Sequence, residues 1–167
     1  MNSKNVDFLI SELYKKVNKK LNGITKNLIV CAVGGYGRKQ LAPYSDIDLL
    51  FIHNNFDNND ILEKSIQFIL YPLWDLGFNV GHATRSIKQA SEFSKKDHTV
   101  RTSMLDARLI CGSKTYFEKV IKVFKKDVTK KSKIFFKEKI LEREKKLLDI
   151  NFNFIRNEPD IKQSAGS

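Results

Sequence analysis

Two short apolar runs, Leu28-Ile29-Val30-Cys31-Ala32-Val33 and Ile47-Asp48-Leu49-Leu50-Phe51-Ile52, limit what this chain can fold into more than any other feature. Both are rich in β-branched and aromatic residues and bounded by glycine or proline, so they read as neighbouring buried strands over 28–33 and 46–53. Between them lie Gly34, Gly35 and Gly37, then Pro43. Pro43 discourages helix at Ala42, so the connection from Gly37 to Tyr44 is expected to be a short helical turn followed by extended backbone. The second run opens on Asp46-Ile47-Asp48. Strand side chains alternate between faces, so these two carboxylates project to one side.

Like charges side by side are costly to bury without a counter-charge. A divalent cation removes that cost, and Mg²⁺ favours a few carboxylates together with phosphate oxygens. The glycines let the backbone approach closely and offer N–H groups to an anion. Phosphate on one side and metal on the other is the arrangement that activates a nucleotide. Arg38 and Lys39 stand beside the glycines, placed to reach phosphate oxygens or, for Lys39, simply solvated. The Ser45 hydroxyl either bonds phosphate or caps the loop. The bland alternative is an exposed strand end with two solvated acids, and the upstream glycines and apolar flanks argue against it.

The run Gly34-Gly35-Tyr36-Gly37-Arg38, followed by Leu41, Pro43 and Ser45-Asp46-Ile47-Asp48, resembles the nucleotidyltransferase signature, a Gly-Gly or Gly-Ser pair before Asp-x-Asp. Three further stretches narrow the resemblance: Leu73-Trp74-Asp75-Leu76-Gly77 with Val80-Gly81-His82-Ala83-Thr84-Arg85; Thr102-Ser103-Met104-Leu105-Asp106-Ala107-Arg108-Leu109; and Glu158-Pro159-Asp160-Ile161-Lys162. With them the chain, from about Ile29 to Lys162, looks like the N-terminal domain of the bacterial bifunctional uridylyltransferase/uridylyl-removing enzymes that modify the PII nitrogen-signalling protein. The resemblance implies an α+β nucleotidyltransferase fold, a small mixed sheet packed with helices and followed by a helical C-terminal segment. It implies Mg²⁺-dependent transfer of UMP from UTP to a tyrosine hydroxyl of a PII-type protein. Asp46 and Asp48 would be catalytic and hold the metal, with Gly34, Gly35, Arg38, Ser45, His82 and Arg85 on the nucleotide and its phosphates.

One departure from the pattern matters. Many nucleotidyltransferases carry a third carboxylate on the strand after the Asp-x-Asp hairpin, where this chain has Gly81 and His82. Asp106 is the candidate replacement as metal ligand; the alternative is a structural ion pair of Asp106 with Arg108 or Arg85. His82 alternatively just packs. The family enzymes continue into an HD hydrolase domain and two ACT domains, so a sequence stopping at Ser167 reads as a fragment without uridylyl-removing or glutamine-sensing activity. Two rival readings stand beside this one: an adenylyltransferase acting on protein or RNA, and a catalytically inactive module that binds nucleotide or a protein partner.

The rest of the chain fits one domain around this centre. A length of 167 residues suffices for a core without disulfides, and Cys31 and Cys111 lack metal-type spacing and read as buried reduced thiols. No apolar run approaches the roughly 20 residues of a membrane span, and Met1–Asp7 is polar, which makes the cytoplasm the expected location. The net charge is +11, most of it between Lys114 and Lys146, where 13 Lys/Arg face 5 Asp/Glu. Only six basic residues are Arg and no aromatics interleave, so a solvated basic face is expected ahead of an acidic partner or RNA.

Periodicity predicts a helix over 4–22 with Phe8, Leu9, Leu13, Val17 and Leu21 inward, ending at Asn22-Gly23, and nothing chemical on it. A second helix from Asp60 buries Leu62, Ile66, Ile69, Leu70 and Leu73, with Pro72 kinking or ending it and Gly77 turning the chain into a strand over 79–86. Helices over 87–95 and 99–105, an edge strand over 108–112 and helices over 114–127 and 132–150 follow. We divide the chain into a core, 1–112, containing the catalytic hairpin 28–53, a helical extension, 113–156, and a tail, 157–167.

Overall fold

In the computed structural model the two apolar runs pair as antiparallel strands, β1 (Leu28–Ala32) and β2 (Ile47–His53), with Leu28 opposite His53 and Ala32 opposite Leu49. The structure describes residues 3–21, 27–41, 45–54, 59–96 and 98–130, together with 140, 141 and 144. β3 (Val80–Ser86) lies parallel to the free side of β2, and β4 (Arg108–Cys111) lies antiparallel to β1, giving a four-stranded mixed sheet in the order β3-β2-β1-β4. A parallel neighbour needs a crossover, and the helix α3 (Asn59–Asp75) supplies it.

The alternation of β1 and β2 feeds two cores. Leu28, Val30, Ala32, Ile47, Leu49 and Phe51 pack with side chains of α1 (Ser3–Lys20) and α3, among them Ile10, Tyr14, Ile69 and Leu73. Ile29, Cys31, Leu50 and Ile52 pack instead with Ala90 of α4 (Ile87–Lys96), Met104 of α5 (His98–Leu105) and Val120 and Phe124 of α6 (Lys114–Lys130). Both faces of the central strands are therefore covered, which is why their sequences read as nearly continuous apolar runs. The fold is the mixed α/β arrangement the sequence led us to expect. The chain divides into two compact units, Met1–Asp127 and Val128–Ser167, and the sheet and both cores belong to the first.

Local chemistry explains several boundaries. Ser86 and Gln89 form a reciprocal capping pair at the start of α4: the Ser86 N–H donates to Gln89 Oε1 at 2.8 Å and the Gln89 N–H to Ser86 Oγ at 3.2 Å. Ser113 caps α6 through the Tyr116 N–H at 3.2 Å. The helix expected to kink or stop at Pro72 runs on to Asp75. It ends instead where the Phe78 N–H reaches Leu73 O at 3.1 Å and the Gly77 N–H reaches Trp74 O at 2.8 Å, with Gly77 at φ +80°. That paired bonding needs a left-handed residue, and glycine adopts it without strain. On α1 the inward stripe is Val6, Ile10, Leu13, Tyr14 and Val17, while Phe8, expected inside, is 68% exposed.

Cys31 is fully buried, and burial pushes its thiol up to about 12. Cys111 is half-buried, its thiol raised first by burial and then by Cys31. Both are free, as expected. No helix among the described residues is long and apolar enough to cross a membrane. The helix expected over 132–150 (apart from 140, 141 and 144), the stretch Glu158–Lys162, the stop at Asn22-Gly23 and the segment Ala42–Tyr44 lie outside the described residues.

Candidate active site

The glycine turn begins as soon as β1 ends. Val33 is extended, and its N–H donates to the Asp48 carbonyl at 3.1 Å, fastening the start of the turn to β2. A single helical turn, α2 (Gly34–Gly37), follows, three residues earlier than the expected start at Gly37. Gly34 has φ +58°, a left-handed value that side chains other than glycine adopt only at a cost. The turn's own hydrogen bonds begin with the Gly37 N–H to Val33 O at 3.0 Å and the Arg38 N–H to Gly34 O at 3.2 Å. The amides of Gly34, Gly35 and Tyr36 precede that first bond and point out of the turn's start. At the far end, the Lys39 N–H to Tyr36 O (3.1 Å) and the Gln40 N–H to Gly35 O (2.9 Å) close the turn, with exposed Lys39 at φ +62°.

Asp48 faces Gly81 across the β2–β3 register. A Cβ on Gly81 would lie 2.8 Å from Asp48 Oδ1, and a Cβ on Gly34 would lie 3.1 Å from Oδ2. The carboxylate thus occupies a recess whose two walls, one from the glycine turn and one from β3, lack side chains. Asp46 stands immediately before β2, whose first residue, Ile47, donates its N–H to Asn79 O at 2.8 Å. Asp46 lines a cavity of about 350 Å³ with Trp74, Phe78, Asn79, Val80 and Gly81. Gly81 is therefore the common neighbour of the two acids.

The back of the glycine turn is braced by residues distant in sequence. Arg108 donates to Asp7 through Nη1 at 2.7 Å and Nη2 at 3.1 Å, and to the backbone oxygens of Gly37 and Tyr36 at 3.3 Å each. Its guanidinium lies over the Tyr36 ring, 5.4 Å from the centroid. The fully buried Tyr36 donates its hydroxyl to Asp7 Oδ1 at 2.6 Å, and burial, then that bond, raise its pKa so that it stays protonated. A Cβ on Gly37 would meet the Asp106 carbonyl oxygen head-on and lie 3.0 Å from Ala32 O, so the chain entering β4 packs directly on the turn.

The remaining expected site residues are spread more widely. Arg38 is exposed and donates to Asp106 Oδ2 at 2.6 Å and to Gln40 Oε1 at 3.1 Å. Asp106 thus has an ion pair, with Arg38 and not with Arg108, whose carboxylate partner is Asp7. Among the described residues no group of three or more His, Cys, Asp or Glu is gathered as a metal site. Ser45 is half-buried just before Asp46. His82 follows Gly81 and so faces the opposite side of β3 from it; it meets the Trp74 ring edge-on, centroids 5.9 Å apart. Arg85 pairs opposite Ile52, four residues along β3 from Gly81, roughly 13 Å of strand. The structure brings Asp46, Asp48, Gly34 and Gly81 together and leaves Arg85 at the other end of the strand.

Asp7, Tyr36 and Trp74 were not picked out as site residues from the sequence. Asp7 left a signal: it shares the helical stripe of Ile10 and Tyr14, and a carboxylate on a buried stripe requires a counter-charge.

A family model described as nucleotidyltransferase domain matches residues 10–165. The bifunctional uridylyltransferase/uridylyl-removing enzyme of Phenylobacterium zucineum is 39% identical over 142 residues, 84% of this chain and 15% of that protein. The protein of that name from Vibrio campbellii is 37% identical over 161 residues, 96% of this chain and 18% of that protein. The chain therefore spans less than a fifth of the length of these curated relatives. A solved toxin–antitoxin structure with AMP-PNP aligns at TM-score 0.43 and 13% identity, over 75% of this chain and 95% of that one. With a matching family model over nearly its whole length and a glycine turn set against Asp-x-Asp, the chain belongs to the nucleotidyltransferase domain family.

Proposed function

We propose that this chain transfers UMP from UTP to a tyrosine hydroxyl of a PII-type signalling protein in the cytoplasm, releasing pyrophosphate. The observation that carries nucleotidyl transfer is the recess of Asp48, walled by Gly34 on the phosphate-binding turn and Gly81 on β3. The uridylyl group follows the names of the relatives, and the PII-type tyrosine acceptor follows the family resemblance of the sequence.

The donor set fits Mg²⁺. Two carboxylates adjoin one side-chain-free wall at Gly81, and a hard cation that takes one or two carboxylates completes its shell with water and substrate phosphate oxygens. Asp46 and Asp48 would hold it. When bound, Mg²⁺ acidifies the acceptor hydroxyl and offsets charge on the departing pyrophosphate. The Gly34, Gly35 and Tyr36 amides receive phosphate oxygens, with Arg38 at the exposed end of the turn and Ser45 beside Asp46. Arg108 and Asp7 fix the turn from behind, so that the amides are already oriented when the nucleotide arrives. Asp106 serves this arrangement as the partner of Arg38.

Among the described residues two acids and not three are gathered, which favours one other reading, nucleotide binding without turnover. Mass spectrometry of a PII-type acceptor incubated with the chain, UTP and Mg²⁺ separates the readings. Transfer is expected to add one uridylyl group to a tyrosine; thermal stabilisation by UTP with no gain in acceptor mass would establish binding alone, and incorporation from ATP but not UTP would replace the uridylyl assignment.

A further inference from the structure

The geometry points to the cavity beside Asp46 as the seat of the acceptor's aromatic ring. This inference rests on the transfer reading above and extends it to the second substrate. β2 lies between β1 and β3. The glycine turn leaves β1 on one flank of Asp48; on the other flank Gly81 borders the cavity at the end of the sheet, whose Trp74 and Val80 walls belong to the opposite face of β3. In phosphoryl transfer the attacking and leaving oxygens stand on opposite sides of phosphorus. With the leaving pyrophosphate on the glycine turn, the attacking hydroxyl arrives from the Gly81 side. The nucleobase, attached through the ribose, occupies neither in-line position.

The walls match one kind of hydroxyl bearer. Trp74, Phe78 and Val80 are apolar, Asp46 and Asn79 are polar, and the volume of about 350 Å³ is near the lower end for a small-ligand site. Trp74 is 41% exposed at the rim, flanked by the Tyr71 ring at 5.7 Å and the His82 ring at 5.9 Å. A tyrosyl ring finds aromatic faces there, with its hydroxyl directed toward Asp46. In the transfer the phenolic oxygen bonds to the α-phosphorus and the bond from that phosphorus to the α–β bridging oxygen breaks. Pyrophosphate leaves with the electron pair, and the phenolic proton passes to solvent.

Trp74 is the only tryptophan in the sequence, so its emission reports on this cavity. The full chain is titrated with a peptide carrying one tyrosine, with the same peptide carrying serine in its place, and with UTP. A saturable emission change with the tyrosyl peptide alone, not displaced by UTP, is expected. In steady-state transfer, Trp74→Ala should raise KM for the acceptor about five- to tenfold and leave KM for UTP within about twofold, with Trp74→Phe restoring most of the loss. The position is exposed, so the variant is expected to fold, which circular dichroism checks. Displacement of the peptide by UTP, or a shift in the UTP KM, would make the cavity a nucleobase site and overturn the inference, as would no response to the tyrosyl peptide. An intact tyrosyl response from a chain that transfers nothing would instead count against the proposed function.

Discussion

Gly81→Ala isolates what the Asp48 recess contributes. The added Cβ would lie 2.8 Å from Asp48 Oδ1, and ordinary contact begins at 3.4 Å. The carboxylate must therefore retreat by about 0.6 Å, and misplacement of a reacting group by about 1 Å costs on the order of 10²-fold in rate. A loss of about 10- to 100-fold in kcat is expected, equivalent to about 1.4–2.7 kcal/mol of transition-state stabilisation. The atom displaced is the end of a flexible side chain and Gly81 is exposed on an edge strand, so Tm should stay within about 2 °C of wild type, since alanine also loses less backbone freedom on folding. The assay is uridylyl transfer at saturating UTP and acceptor, paired with a thermal melt. A folded Gly81→Ala protein with kcat within twofold of wild type would refute the idea that the recess positions Asp48. A large fall in Tm would show that Gly81 serves the fold and not the site.

Three other perturbations test the brace, the glycine turn and the pH dependence of the fold. Arg108→Ala leaves the partly buried Asp7 carboxylate without its cation and takes one donor from each of the Gly37 and Tyr36 carbonyls; a loss of about 2–3 kcal/mol, or roughly 4–12 °C of Tm, is expected, and a melt within 1 °C of wild type would contradict the brace. Lys39→Gly relieves a left-handed backbone at an exposed position worth about 1 kcal/mol, so Tm should rise by about 2–4 °C; a fall would show that the lysine side chain stabilises the turn. Burial lowers the His53 pKa below its ordinary 6.5, so the unfolded chain binds more protons below that value. Its contribution is complete above pH 6.5 and lost as pH falls toward the folded pKa. His53→Gln should therefore flatten the decline of Tm between pH 7 and 5, and equal slopes would exclude the histidine as its source.

The half of the candidate site that holds the two acids and the glycine turn was legible because it is local. The β1 and β2 runs, the glycines between them and the spacing of Asp46 and Asp48 all lie within 26 residues, and short-range rules of periodicity and alternation govern them. The α3 stripe, Leu62 to Leu73, was read correctly for the same reason. The brace was not legible: Asp7 and Arg108 are separated by 101 positions, and no local pattern ties a carboxylate on α1 to an arginine on β4. Pro72 does not end the helix; the pair closing at Gly77 and Phe78 ends it three residues later. Phe8 misled because helical spacing admits two adjacent stripes; the one that turns inward carries Val6, Ile10 and Tyr14, whose hydroxyl donates to the Leu28 carbonyl at 2.6 Å. Trp74 and Phe78 joined the site only once the parallel pairing of β2 with β3 set Gly81 beside Asp48.

The most direct test is the mass of a PII-type acceptor after incubation with UTP and Mg²⁺, compared between the wild-type chain and Asp48→Asn. A gain of one uridylyl group with the wild type, lost in a folded Asp48→Asn protein, is the expected result. Transfer that survives Asp48→Asn would contradict a site built on that carboxylate.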